Sequence, residues 1–175
     1  MHFYITGDTH RSFDRIEDFC YEYETTTEDV MIILGDAGIN YWLDLSDKEL
    51  KGQLSGMNIT FFCVHGNHEA RPWEAEDYEE KIWNEGIVYV EEQYPNILFA
   101  KDGEIYNFNG KKVMPIGGAY SIDKYYRIRN GLQHQYPPVQ IRSAPRLRAS
   151  EILCFWGFSF LKKLTHKRKE MLICT

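Results

Sequence analysis

Two kinds of apolar spacing alternate along the first 64 residues. Residues 2–6, 30–34 and 58–64 are short, nearly uninterrupted apolar runs of strand length. Between the first two, Phe13, Ile16, Phe19, Cys20 and Tyr23 recur at helical spacing with acids between them, which predicts an amphipathic helix over residues 13–23. Before the third run, Leu50 and Leu54 form an apolar stripe, and Ser46 followed by Glu49 fits a capping box at the start of a second helix. The order β-α-β-α-β predicts three parallel strands joined by right-handed crossovers.

The pattern then changes. Residues 74–84 are acidic and predict a further helix, while 88–90 and 97–99 are short strand candidates. Residues 105–108 and 112–116 flank Asn109-Gly110, a strong hairpin signal, so a second sheet layer is expected. Beyond Gly131 periodicity fades. Pro137-Pro138 interrupts the chain, residues 142–148 are rich in arginine, and Lys162 to Lys169 is a basic stretch. The longest apolar run, Ile152 to Leu161, is about half of the ~20 residues a membrane-spanning helix needs, so no membrane association is expected.

Composition sharpens this division. The chain is 43% hydrophobic and 26% charged, the balance of a soluble globular protein. Its net charge of −6 conceals a split: residues 1–131 carry 12 Lys/Arg against 24 Asp/Glu, a net −12, whereas 132–175 carry 8 against 2, a net +6. The reversal predicts a core over 1–131 and an atypical basic segment over 132–175. The acidic core repels phosphate backbones, so nucleic acid is expected only as a substrate. The four cysteines show no CxxC spacing, and Met1 leads directly into the first strand-like run. Free thiols in a reducing, cytoplasmic compartment are the expectation.

Chemistry concentrates just past the three strand-like runs. Gly7-Asp8-Thr9-His10 follows the first, Gly35-Asp36-Ala37-Gly38 the second and Gly66-Asn67-His68-Glu69 the third. The C-terminal ends of parallel strands converge on one sheet edge, where ligands bind. Asp8 and His10 stand two apart and, in extended backbone, point the same way. Asp, His and Asn supply hard oxygen and imidazole nitrogen, a set suited to manganese, iron or zinc. Any single Gly-Asp pair after a strand is most simply a turn; three in succession are not.

These motifs resemble the signature of the metallophosphoesterase (calcineurin-like phosphoesterase) family over roughly residues 1–125, and Gly117-Gly118-Ala119-Tyr120-Ser121 resembles a later small-residue strand end. The resemblance implies an α/β fold, a two-sheet β-sandwich flanked by helices. It also implies two divalent metal ions. Asp8 and His10 would bind the first, Asp36 would bridge both and Asn67 would bind the second. His68, with Asn67, would contact the substrate phosphate, and His68 would protonate the leaving oxygen. The implied activity is hydrolysis of phosphate esters by a dimetal-activated hydroxide. Phosphoproteins, nucleotides and other phosphoesters all fall within the substrate range. Arg11 and Arg71 flank the motifs and are further candidates to hold phosphate.

The chain also departs from that signature. Ile39 occupies the position of a second acid that would orient the catalytic histidine, leaving Glu69 or Asn40 for that task. No GHxH motif supplies the family's later metal histidines, and only His134 and His166 follow GNHE. His166 lies among Lys162, Lys163, Lys167, Arg168 and Lys169, whose charge opposes a bound cation. The segment after Gly131 is therefore expected to be truncated, rearranged or encoded in a shifted frame. The alternative function is a catalytically impaired member of the same fold that serves as a binding module. His2 and His65 are assigned to packing.

Overall fold

The computed structural model describes residues 1–75, 77–118 and 129, together with the backbone of two strands, Ile152–Trp156 and Leu172–Cys174. The predicted opening is present. Strand β1 (Phe3–Thr6), helix α1 (Asp14–Glu22), strand β2 (Val30–Leu34), helix α2 (Leu45–Ser55) and strand β3 (Thr60–Val64) follow in order, and the three strands pair in parallel. Strand β6 (Ile97–Ala100) extends the parallel set beside β3.

Two sheets result. The larger has the order β10-β1-β2-β3-β6-β5-β4, where β4 is Tyr78–Trp83, β5 is Gly86–Glu91 and β10 is Leu172–Cys174. The smaller has the order β7-β8-β9, from Tyr106–Phe108, Lys111–Ile116 and Ile152–Trp156. Both outlying strands therefore join sheets built by the first 118 residues.

Alternation along β2 shows why two layers form. Met31 and Ile33 point into a core with Phe13, Ile16, Phe19, Leu50 and Leu54, the inner faces of the two helices. Val30, Ile32 and Leu34 point the other way, against Phe62, Val88, Tyr106, Phe108 and Val113. A strand buried on both faces needs a continuous apolar run, and all five residues of β2 are buried. The result is a mixed α/β sandwich with helices outside one sheet, as expected. The Asn109-Gly110 hairpin also forms: both residues have positive φ, 50° and 83°, as a two-residue turn between right-twisted strands requires.

Two local expectations are corrected. The acidic stretch 74–84 is not a helix: after a short 3-10 turn at Pro72–Glu74 it supplies edge strand β4, paired antiparallel with β5. The turn joining them is Asn84-Glu85, with φ of 47° and 72°. The cap of α2 is Asp44 rather than Ser46, because Asp44 Oδ1 accepts the Ser46 N–H at 2.9 Å and the Ser46 hydroxyl at 2.8 Å. Among the described residues no helix is long and apolar enough to cross a membrane.

Candidate metal centre

The ends of β1, β2 and β3 lie side by side, and backbone hydrogen bonds fasten the loops that follow. Asp8 N–H donates to the Gly35 carbonyl at 3.2 Å, His10 N–H to Asp36 at 2.9 Å and Arg11 N–H to Ala37 at 3.1 Å. The first ligand loop is thus laid along the second like an extra length of ladder. The geometry demands unusual backbone. Asp8, His10, Arg11 and Asp36 have φ of 56°, 44°, 70° and 48°, four of the nine non-glycine residues in the left-handed region among the described residues. Each such residue costs on the order of 1–3 kcal/mol, so their concentration in two short loops marks a place where packing holds side chains against local preference.

What this strain achieves is convergence. Asp8, His10 and Asp36 each present one ligand atom, and these atoms all lie within 4.8 Å of one another. His10 Nε2 stands 3.6 Å from Asp8 Oδ1. Asp36 is only 5% exposed, while the His10 side chain is largely open, so the cluster has a buried floor and an accessible mouth. Two carboxylates and an imidazole, with no thiolate among them, form a donor set that fits a hard or borderline divalent cation.

The third loop enters from the other side. Its His68 N–H donates to Asp36 Oδ1 at 3.0 Å. The His68 ring faces that of His10 edge-on, with centroids 5.9 Å apart. Asn67, half-buried, sits between Gly66, which packs directly on Asp36, and His68. The loop bearing Asn67 and His68 is therefore in contact with the cluster.

Glu69 holds the second and third loops together. Its buried carboxylate accepts the Gly38 N–H at 3.0 Å and the Gly66 N–H at 2.9 Å. Burial, offset by these hydrogen bonds and assisted by the negative charge of Asp36, pushes its pKa up to about 7. Glu69 is thus occupied in joining loops, and Asn40 Oδ1 accepts from the Tyr78 hydroxyl at 3.0 Å. This bracing role was not read from the sequence, although Glu69 belongs to the third motif.

The two candidate arginines are engaged with the protein. Arg11 donates to the Gly38 carbonyl at 2.9 Å and the Ser46 carbonyl at 3.0 Å, and forms an ion pair with Asp47. Arg71 is 2% exposed and packs near Gly118 and over the Trp73 ring. His65, expected to be a packing residue, is fully buried with its Nε2 2.8 Å from Asp102 Oδ2. His2 lies at the far end of β1, where Nδ1 meets Asp29 Oδ1 at 2.9 Å. His134 and His166 lie outside the described residues.

A cluster of two carboxylates and an imidazole able to hold a metal ion, on the C-terminal edge of a parallel sheet inside a two-layer sandwich, defines the class. A family model for calcineurin-like phosphoesterases matches residues 1–169, and the chain belongs to that family. The general chemistry of that family is metal-dependent hydrolysis of phosphate esters. No curated protein matches the chain.

Proposed function

We propose that this protein is a phosphoesterase that binds two divalent metal ions and hydrolyses a phosphate ester. The observation that carries the reading is the gathering of Asp8, His10 and Asp36 within 4.8 Å, with His68 bonded through its backbone to Asp36. Asp8 and His10 would hold one ion, Asn67 would offer its amide oxygen to the other, and Asp36 would serve both. When bound, the ions supply Lewis acidity that lowers the pKa of water and offsets phosphate charge.

The protein's own groups do the rest. His68 faces the cluster from a half-buried position and delivers a proton from its ring to the ester oxygen as the P–O bond breaks. An imidazole suits this step because its unperturbed pKa is about 6.5. Glu69 keeps the His68 loop in register with the Asp36 loop. Arg11 borders the same loops, and its reading as a phosphate contact belongs to this proposal.

Several finer points rest on the same footing. Manganese, iron or zinc would each suit a donor set of oxygen and imidazole, and manganese is the ion used in the test. The division at Gly131 rests on the charge reversal, and the family match spans it. A cytoplasmic setting rests on cysteine usage; Cys20 and Cys63 are free thiols.

The test pairs calorimetric titration of Mn²⁺ with hydrolysis of an aryl phosphate monoester and diester. Two tight sites and metal-dependent turnover, both lost in Asp36→Asn, are expected. One site or none, without turnover, favours the binding module. Turnover unchanged by Asp36→Asn removes its bridging role.

A further inference from the structure

We propose that the buried pair His65–Asp102 is a positioning device that fixes the loop carrying Asn67 and His68 against the second sheet. The proposal rests on the metal-centre reading above and adds two residues to it.

His65 is the first residue after β3 and leads directly into the third ligand loop. Both its ring and its backbone are tied to the segment that follows β8. Its Nε2 lies 2.8 Å from Asp102 Oδ2. Asp102 Oδ1 accepts the Gly117 N–H at 2.6 Å. The His65 carbonyl accepts the Gly118 N–H at 3.0 Å. No side chain fits at 117: a β-carbon there would fall 2.5 Å from the His65 carbonyl oxygen and 2.7 Å from Nε2. The end of the smaller sheet is thus held directly against the root of the ligand loop.

The other end of that loop is anchored in the same place. The Trp73 ring stands edge-on to the His65 ring at 5.7 Å, and the Arg71 guanidinium lies 5.9 Å from the Trp73 ring. A β-carbon on Gly118 would meet an Arg71 nitrogen at 2.6 Å. Asn67, His68 and Glu69 therefore span two points fixed to one buried cluster. The Asp102 side chain is 5% exposed and that of His65 is 0% exposed. Two apolar residues would fill this place with less desolvation, whereas a buried pair of polar groups in contact, one of them also bonded to Gly117, favours one register. Register is what a loop with one ligand and one proton donor needs.

The test uses the full chain with Asp102→Asn, which keeps shape while removing charge, and His65→Gln beside His65→Ala. Three quantities are read: histidine ring NMR signals of the metal-free protein, Mn²⁺ affinity by calorimetry, and kcat with KM on an aryl phosphate. In Asp102→Asn the His68 ring signals shift and broaden while those of His2 stay in place. Mn²⁺ affinity and kcat fall about tenfold, the lower end for residues that support a metal centre, with KM within about twofold. His65→Gln, which keeps a polar side chain beside Asp102, recovers most of what His65→Ala loses. A folded Asp102→Asn with wild-type His68 signals and wild-type Mn²⁺ affinity overturns the proposal. If Asp102→Asn does not fold, His65→Gln against wild type decides, and a Gln variant no better than Ala overturns it. If the wild type binds no Mn²⁺, the metal reading fails, and the His68 signals still decide the positioning claim.

Discussion

Gly66 lies so close to Asp36 that a β-carbon on it would fall 1.9 Å from Asp36 Oδ1 and 2.3 Å from the Asp36 backbone nitrogen. The backbone nitrogen cannot give way, Oδ1 is held by the His68 N–H, and Asp36 is already in a left-handed conformation. Gly66→Ala therefore separates the second and third loops. Overpacking of this kind costs about 1–3 kcal/mol. The expected outcome is a lower melting temperature and loss of measurable Mn²⁺ binding by calorimetry. Wild-type affinity in this variant would mean that the two loops need not touch.

Glu69 is a brace whose two oxygens each receive one backbone N–H, from Gly38 and Gly66. Glu69→Gln preserves volume but replaces one acceptor with a donor, so an N–H faces an N–H in a buried site. An unsatisfied buried polar group costs about 1–3 kcal/mol. The variant is expected to lose that much stability in urea unfolding and to release Gly38 or Gly66. Hydrogen exchange at these two amides checks this directly: protection should drop at one or both, while β2 amides keep theirs.

Arg11 and Asp47 link the first ligand loop to α2. Asp47, nearly fully buried, pairs with Arg11 through one oxygen and accepts the Trp42 and Leu43 N–H groups, both at 2.8 Å, through the other. Arg11→Ala leaves that carboxylate buried without its cation. Breaking a buried pair in this way costs about 3–5 kcal/mol, and the partial exposure of Arg11 lowers the figure here to about 2–3 kcal/mol. The expected result is destabilisation that Arg11→Lys only partly repairs, since Lys lacks the planar fork that reaches Gly38 and Ser46 together. A variant of normal stability with only KM raised would instead favour the phosphate-contact role.

The contrast between Asp36 and Asp102 explains what sequence reading reaches. Asp36 follows a five-residue apolar run and the turn-forming Gly35, so local chemistry announces its place at the sheet edge. The same logic located Asp8, His10 and the GNHE loop. Asp102 follows β6 in an ordinary polar stretch, and its partner His65 is 37 positions away, after the neighbouring strand β3; no periodicity links them. Strand β4 was misread for a related reason. Its four central residues are all exposed, so it carries no alternating apolar face, and its pairing is set by β5 and the Asn84-Glu85 turn. Asn-Glu lacks the glycine that makes Asn109-Gly110 legible. The Arg11–Asp47 pair was hidden in the same way, because an arginine beside metal motifs looks identical whether it faces phosphate or a buried acid.

Asp29 offers a pH test at the opposite end of the strands from the metal centre. It is buried and accepts four hydrogen bonds, from the His2 and Thr26 backbone N–H groups at 2.8 and 3.1 Å, from His2 Nδ1 at 2.9 Å and from the Thr26 hydroxyl at 3.3 Å. The N-terminal amino group lies 4.0 Å away. Burial acts to raise its pKa, but the hydrogen bonds from Thr26 and His2 prevail and hold it below the ordinary carboxylate value. For an acid with a depressed folded-state pKa, the unfolded chain binds the proton first as pH falls. Its contribution to stability is therefore complete above the unfolded value of about 3.9 and disappears as pH drops through the lower folded value. Asp29→Asn should cost about 1–2 kcal/mol at pH 7, because an amide accepts fewer of these bonds. Urea unfolding at pH 7, 4 and 3 should show the gap between variant and wild type narrowing only at the acid end. A gap that stays constant across this range would assign the effect of Asp29 to packing rather than to its charge.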